Sequence, residues 1–124
     1  MMVVLNAYRN WLRDFSVGGS GSTAMNYVAF GDNDADPDVE NTTLNNEFAR
    51  LSADSITAIA MGQWKVIATI QDTDTNFDDQ TVKEFGLVNA ASSGTFACHQ
   101  VQIPITCPAD RTWDLKYEIT FKHL

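Results

Sequence analysis

The chain has little cysteine, histidine, proline or positive charge, and each scarcity removes a class of explanation. Two cysteines and two histidines among 124 residues offer few soft ligands, and the order Cys98, His99, Cys107, His123 matches no closed zinc spacing. Eight Lys and Arg stand against sixteen Asp and Glu, a formal charge of −8, so the surface repels phosphate backbones and nucleic acid is not an expected partner. No apolar run approaches the ~20 residues of a membrane-spanning helix. Arg9 and Arg13 interrupt the apolar start of the chain where a signal peptide would have an unbroken core. A membrane is therefore not an expected partner. Phosphate loops, dinucleotide fingerprints and internal repeats are missing as well.

What remains is the composition of a folded protein. Hydrophobic residues make up 44% and charged residues 19%, enough for one core that buries roughly two-thirds of the unfolded surface. Residues 3–16 place Val4, Leu5, Tyr8, Trp11, Leu12 and Phe15 at helical spacing, which predicts an amphipathic helix. The run Val17 to Ser22 is rich in glycine and serine and reads as a flexible connector. The expected division is therefore 1–22, helix and linker, and 23–124, a β domain.

Within that domain, Asn26–Gly31 reads as a short strand. A second, short helix is expected from about Thr42 to Arg50, with Thr42 or Thr43 as its N-cap. Ser55–Ala60 and Gln63–Gln71 read as a hairpin, with Trp64, Val66, Ala68 and Ile70 facing one way and Lys65 and Thr69 the other. Thr81–Asn89, Thr95–Ile103 and Thr112–Lys122 add strands, the last with Trp113, Leu115, Tyr117, Ile119 and Phe121 on its apolar side. About six short strands and two helices that are not interleaved with them predict a mainly β fold: an antiparallel β-sandwich or flattened barrel.

Two acidic loops invite a metal. Asp32, Asp34, Asp36, Asp38 and Glu40 alternate with other residues. An EF-hand loop, however, needs glycine at its sixth position and a bidentate glutamate at its twelfth. Those positions hold Pro37 and Thr43 counting from Asp32, and Phe77 and Lys83 counting from Asp72. Asp, Asn and Pro are good turn formers, and that is the reading adopted. No metal or cofactor is expected. Cys98 and Cys107 flank Pro104 in segments that could meet across a bend, or could serve as small core residues. Cys98 and His99 make no catalytic dyad, because neighbouring strand residues point to opposite faces. No catalytic, cofactor-binding or metal-binding residue is singled out.

The order of segments carries more information. "YVAFGD", a polar loop with proline, "TTLNNEFAR", a hairpin, "VKEFGLVNAASSGTFACHQV" and a terminal "WDLKYEITF" resemble small virion proteins of tailed bacteriophages and related tailed viruses, including tail-collar fibre proteins. Thr43, Leu44, Glu47, Arg50, Glu84, Gly86, Leu87, Ser93 and Gly94 carry the resemblance, whereas Phe85 and Val88 depart from it. It implies a non-enzymatic virion structural protein at the neck, tail or baseplate, assembled in the host cytoplasm. Its partners would be other virion proteins and further copies of itself, as a trimer or ring. A capsid decoration or turret protein is the structural alternative.

A carbohydrate- or receptor-binding module is the alternative of another class, with Trp64 and Trp113 as stacking residues if exposed; their alternation points to the core instead. The N-terminal helix suits a partner groove, or a fold-back onto its own sheet. Finally, Glu84 alternates with Val82, Gly86 and Val88, which draws a carboxylate inward and demands a partner. Arg50 is the expected one, in an ion pair pinning the short helix to the sheet.

Overall fold

A computed structural model describes residues 3–10, 25–60 and 63–122. Among these residues eight strands run in order: β1 (Val3–Val4), β2 (Tyr27–Gly31), β3 (Glu47–Ser52), β4 (Ser55–Ala60), β5 (Gln63–Ile70), β6 (Gln80–Val88), β7 (Cys98–Cys107) and β8 (Leu115–Lys122). They form a five-stranded sheet, β1-β7-β6-β2-β3, and a three-stranded sheet, β4-β5-β8. Every pairing is antiparallel. The mainly β expectation therefore holds as two open sheets; the described strands close no barrel.

The hydrophobic alternation decides which faces meet. Val66, Ala68 and Ile70 of β5 and Ile119 and Phe121 of β8 are buried, and they pack on Val28 and Phe30 of β2 and Phe85 and Leu87 of β6. Tyr117 joins the layers at their centre, its ring 5.0 Å from Phe30 and 5.7 Å from Phe85 with edge-on geometry. Burying such side chains supplies about 1.5–3 kcal/mol each before the entropy of ordering them is counted. A second apolar cluster lies on the other side of the larger sheet, where Ala29, Val88 and Phe96 meet Leu5 and Leu44. The five-stranded sheet is thus covered on both faces.

One expectation from sequence fails here, one is not confirmed over its full span, and one open alternative is decided. The short helix at Thr42–Arg50 is absent: residues 42–46 form bends, and Glu47–Ser52 is strand β3, paired with β2 from Tyr27↔Ser52 to Gly31↔Glu47. Ala49 and Leu51 turn toward the core, a period of two that outweighed the helix-like T-x-L-x-x-E-x-x-R spacing. The amphipathic helix at 3–16 is not confirmed over its full span: Val3 and Val4 pair with His99 and Cys98 as an edge strand, and helical backbone is seen over residues 6–10. Trp11, Leu12, Phe15 and the 17–22 connector lie outside the described residues.

The open alternative concerns the thiols, which are small core residues. No bend brings Cys98 to Cys107, since both are buried, free, and at opposite ends of one strand. Nine steps of ~3.3 Å separate them far beyond the ~7 Å reach of a disulfide. Pro104 sits instead in the stretch of β7 that skips pairing between Val101 and Ile105, where its missing N–H costs nothing.

Burial also disfavours charge on two groups at the interface of the sheets. It pushes the Cys98 thiol from 9.0 up to about 12 and the Tyr117 phenol from 10.0 to about 12. Unfolded, both ionise sooner, so their contribution to stability is intact below about pH 9 and is lost as pH climbs toward about 12. Urea midpoints should fall across that window, and the fall should be shallower in Cys98→Ala than in wild type. Below pH 8 the two slopes should coincide.

Candidate functional site

The most unusual chemistry in the fold is a carboxylate with no access to water. Glu84 is 0% exposed, and a register irregularity between Val82 and Glu84 explains its direction. Val82, Phe85 and Leu87 belong to the inter-sheet core, so the alternation changes at Lys83. Glu84 thereby shares the outer face of the larger sheet with Gly86 and Val88, and not with Val82 as the bare alternation suggests.

Four donors meet this carboxylate, two on each oxygen. Oε1 accepts from the backbone amide of Asn45 at 2.8 Å and faces His99 Nε2 at 2.7 Å. Oε2 accepts from the amides of Asn33 at 3.1 Å and Asn46 at 2.9 Å. The free amides near Thr43 that an N-cap would have served are therefore taken by Glu84. Gly31 makes the approach possible: a Cβ there would lie 2.5 Å from Glu84 Oε2 and 2.6 Å from the Asn46 carbonyl. The pair Gly31↔Glu84 across β2 and β6 is what sets them face to face.

His99 continues the network. It is fully buried, and its Nδ1 lies 3.0 Å from Asn41 Oδ1. That oxygen also accepts from the Asp38 amide at 2.9 Å, which fixes the orientation of the Asn41 side chain. Both ring nitrogens thus face oxygens, one of a carboxylate and one of an amide. The loop 32–46 is consequently fastened to the sheet at Asn33, Asn41, Asn45 and Asn46. The acidic residues themselves serve as turn formers: Asp38 Oδ1 accepts from the Glu40 amide at 2.8 Å, and Asp32 accepts from the Asn46 side chain.

The expected ion pair between Glu84 and Arg50 is replaced by two separate arrangements. Arg50 makes a two-pronged contact with Glu47, at 2.6 and 2.9 Å. Its remaining nitrogen, Nη1, donates to the carbonyls of Ala90 at 2.7 Å and Ser93 at 2.8 Å. The guanidinium lies 5.1 Å over the Phe96 ring. It holds the A-S-S-G turn, in which Ser93 and Gly94 have φ of 54° and 83°. Residues that stand far apart in the chain, Leu44, Glu47, Arg50, Glu84, Gly86 and Ser93, thus gather on one side of the larger sheet.

The second acidic loop is organised by Arg111, which is 7% exposed. Its two terminal nitrogens donate to Asp78 at 2.9 Å and to the carbonyls of Pro108, Gln71 and Asp74 at 3.1, 2.8 and 2.9 Å. Asp74 caps the 3-10 turn Thr75–Phe77 by accepting from the Asn76 amide. Among the described residues no three acidic, histidine or cysteine side chains are placed to hold a metal ion, and no pocket is present. Cys98 faces the inter-sheet core and His99 the opposite side, as their adjacency in a strand requires. His123 lies outside the described residues.

The surfaces offered to partners are strand edges and loops. β4 is exposed along its whole length and holds Ile56 and Ile59 in water. Ile103 is 86% exposed next to Pro104. The two tryptophans part company: Trp64 is half-buried with its ring 4.7 Å from Phe121, whereas Trp113 lies before the start of β8 and is 42% exposed, so its expected place in the core is corrected. The alternation that predicted burial does not extend to Trp113, because β8 begins only at Leu115. No protein-family model, curated protein or solved structure matches this chain.

The carboxylate network should dominate stability. Glu84→Gln keeps the shape but sets an NH2 group against donors and leaves His99 without its anion. A loss of about 3–5 kcal/mol is expected, read from urea denaturation, with loss of amide exchange protection at Asn45 and Asn46. Gly31→Ala should destabilise by about 1–3 kcal/mol through overlap with the same carboxylate.

Proposed function

We propose that this chain is a non-enzymatic structural protein of a tailed-virus or bacteriophage particle. It would assemble at the neck, tail or baseplate and join other virion proteins. The observation that carries the reading is the use made of the motif residues. Glu47, Arg50, Glu84 and the Ser93-Gly94 turn all fasten loops to a sheet, and each Glu84 oxygen already accepts two hydrogen bonds. A carboxylate so engaged has no lone pair to spare for a substrate proton. Such residues serve shape, as a particle component requires, and the resemblance of the segment order points to the same class.

In this reading the protein folds in the host cytoplasm and functions in the virion. Copies of it form a closed ring or trimer, the usual outcome for symmetric assemblies. Exposed β4, with neither proline nor charge along Ser55–Ala60, suits contact with a neighbour, since free edges are usually guarded by such residues. Placement on the head lattice as a decoration protein uses the same features.

One observation favours the reading of another class. Trp113 is exposed beside Asp114, an aromatic face next to a carboxylate of the kind that stacks on a sugar ring and accepts from its hydroxyls.

Mass spectrometry of purified particles from the host that carries this gene should find the protein at a stoichiometry comparable to other neck or tail proteins, and immunogold labelling should place it at one end of the particle. Labelling spread over the head selects decoration. Absence from particles, together with glycan-array binding that Trp113→Ala abolishes, selects the binding module and overturns the virion reading.

A further inference from the structure

The outer face of the three-stranded sheet gathers three of the four lysines of the chain. In the β5–β8 ladder Gln63 pairs with Lys122, Lys65 with Thr120, Ile67 with Glu118 and Thr69 with Lys116. Val66, Ala68 and Ile70 point into the core, so Lys65, Lys116 and Lys122 stand together on the other face, every lysine of the chain except Lys83. Glu118 lies between two of them, 3.1 Å from Lys65 and 3.8 Å from Lys116. The Lys65 ammonium holds its carboxyl below the ordinary value of 4.5. Asp54, bonded to Thr69, is the other carboxylate at this face. The centre of the face is Ile67, half-buried, opposite Ser55 of the neighbouring strand.

The opposite pole of the sandwich has the complementary character. The loop 32–46 is fastened over the outer face of the other sheet, and Asp34, Asp36, Asp38 and Glu40 are exposed on it, with exposed Val39 between the last two. Its backbone is held rigid through Glu84, His99 and Asn41, so these charges are presented in a set geometry and not on a floating tail. A chain of net charge −8 would be expected to repel its own copies, except where unlike patches can meet.

We propose that the lysine-bearing face of the three-stranded sheet docks the acidic 32–46 loop of a second copy of this chain, with Val39 seated toward Ile67. The two patches lie on opposite poles, so the contact is heterologous, and successive copies continue into a ring or a short filament. The inference deepens the assembly role proposed above and rests on it for its biological setting, but its test needs only the purified full chain.

Light scattering and sedimentation velocity should show association at low salt that weakens steeply with added salt, as exposed charge pairs do. Lys116→Glu with Lys122→Glu should weaken it by roughly tenfold or more. So should Asp34→Lys with Asp36→Lys, which spares every residue that fastens the loop. Circular dichroism should show both variants folded. Mixing the two charge-reversed proteins should restore association, because each then offers the sign that the other lacks. A wild-type chain that stays monomeric at low salt overturns the proposal, as does a reversed lysine face that leaves the mass unchanged. If the lysine variant loses association but the loop variant does not, the face docks some other acidic surface and the assignment of this loop is wrong. Absence from virus particles, with the charge-reversal pattern intact, would instead count against the virion setting alone.

Discussion

A buried carboxylate must find donors or cost several kcal/mol, and Glu84 finds four. Three come from backbone amides of one loop and the fourth from a histidine on the neighbouring strand. That requirement organises much of what surrounds it. The loop 32–46 lies across the sheet because its amides have no other partners there, and Gly31 lacks a side chain because one would occupy the space of the carboxylate. Leu44 is carried down with the loop onto Gly86, where a Cβ would lie 3.1 Å from its methyl, and this closes the second apolar cluster with Phe96 and Leu5. One charged group thus gives the larger sheet a covered outer face.

Cations do two different kinds of work in the fold. Arg50 and Arg111 are spent internally, each gathering carbonyls of a tight turn and one carboxylate. A planar guanidinium with several fixed donors suits this work, whereas an ammonium would leave carbonyls unserved. The lysines of β5 and β8 stay in solvent on one face. Acidic side chains likewise either terminate turns, as Asp38 and Asp74 do, or point outward. The uneven result is a lysine-bearing face on one sheet and an acidic loop over the other, although the sequence is acidic as a whole.

Strand edges show how the same chain limits and permits association. Pro104 interrupts the free edge of β7, and Lys116, Glu118 and Lys122 line β8 with charge. Both devices discourage indiscriminate pairing. β4 has neither, and its isoleucines remain in water. Soluble monomers rarely leave such an edge undefended.

Hydrophobic period alone determined the hairpin of β4 and β5, the alternation of β8, the strand at Tyr27–Gly31 and the mainly β class, because these are local patterns whose side chains need only one apolar face to bury. Residue identity at fixed positions argued against an EF-hand, since Pro37 stands where such a loop must turn. The rest was decided in three dimensions. The segment ending in Arg50 became a strand because β2 offered an edge to pair with, a contact invisible to local propensity. Arg50 and Glu84 are both inward-drawn charges, but their partners are set by sheet register and by an irregularity at Lys83 that changes which face Glu84 occupies. His99 and Asn41 join the same network from positions 58 residues apart. Such a meeting depends on which strands neighbour each other, and residue spacing along the chain carries no record of that.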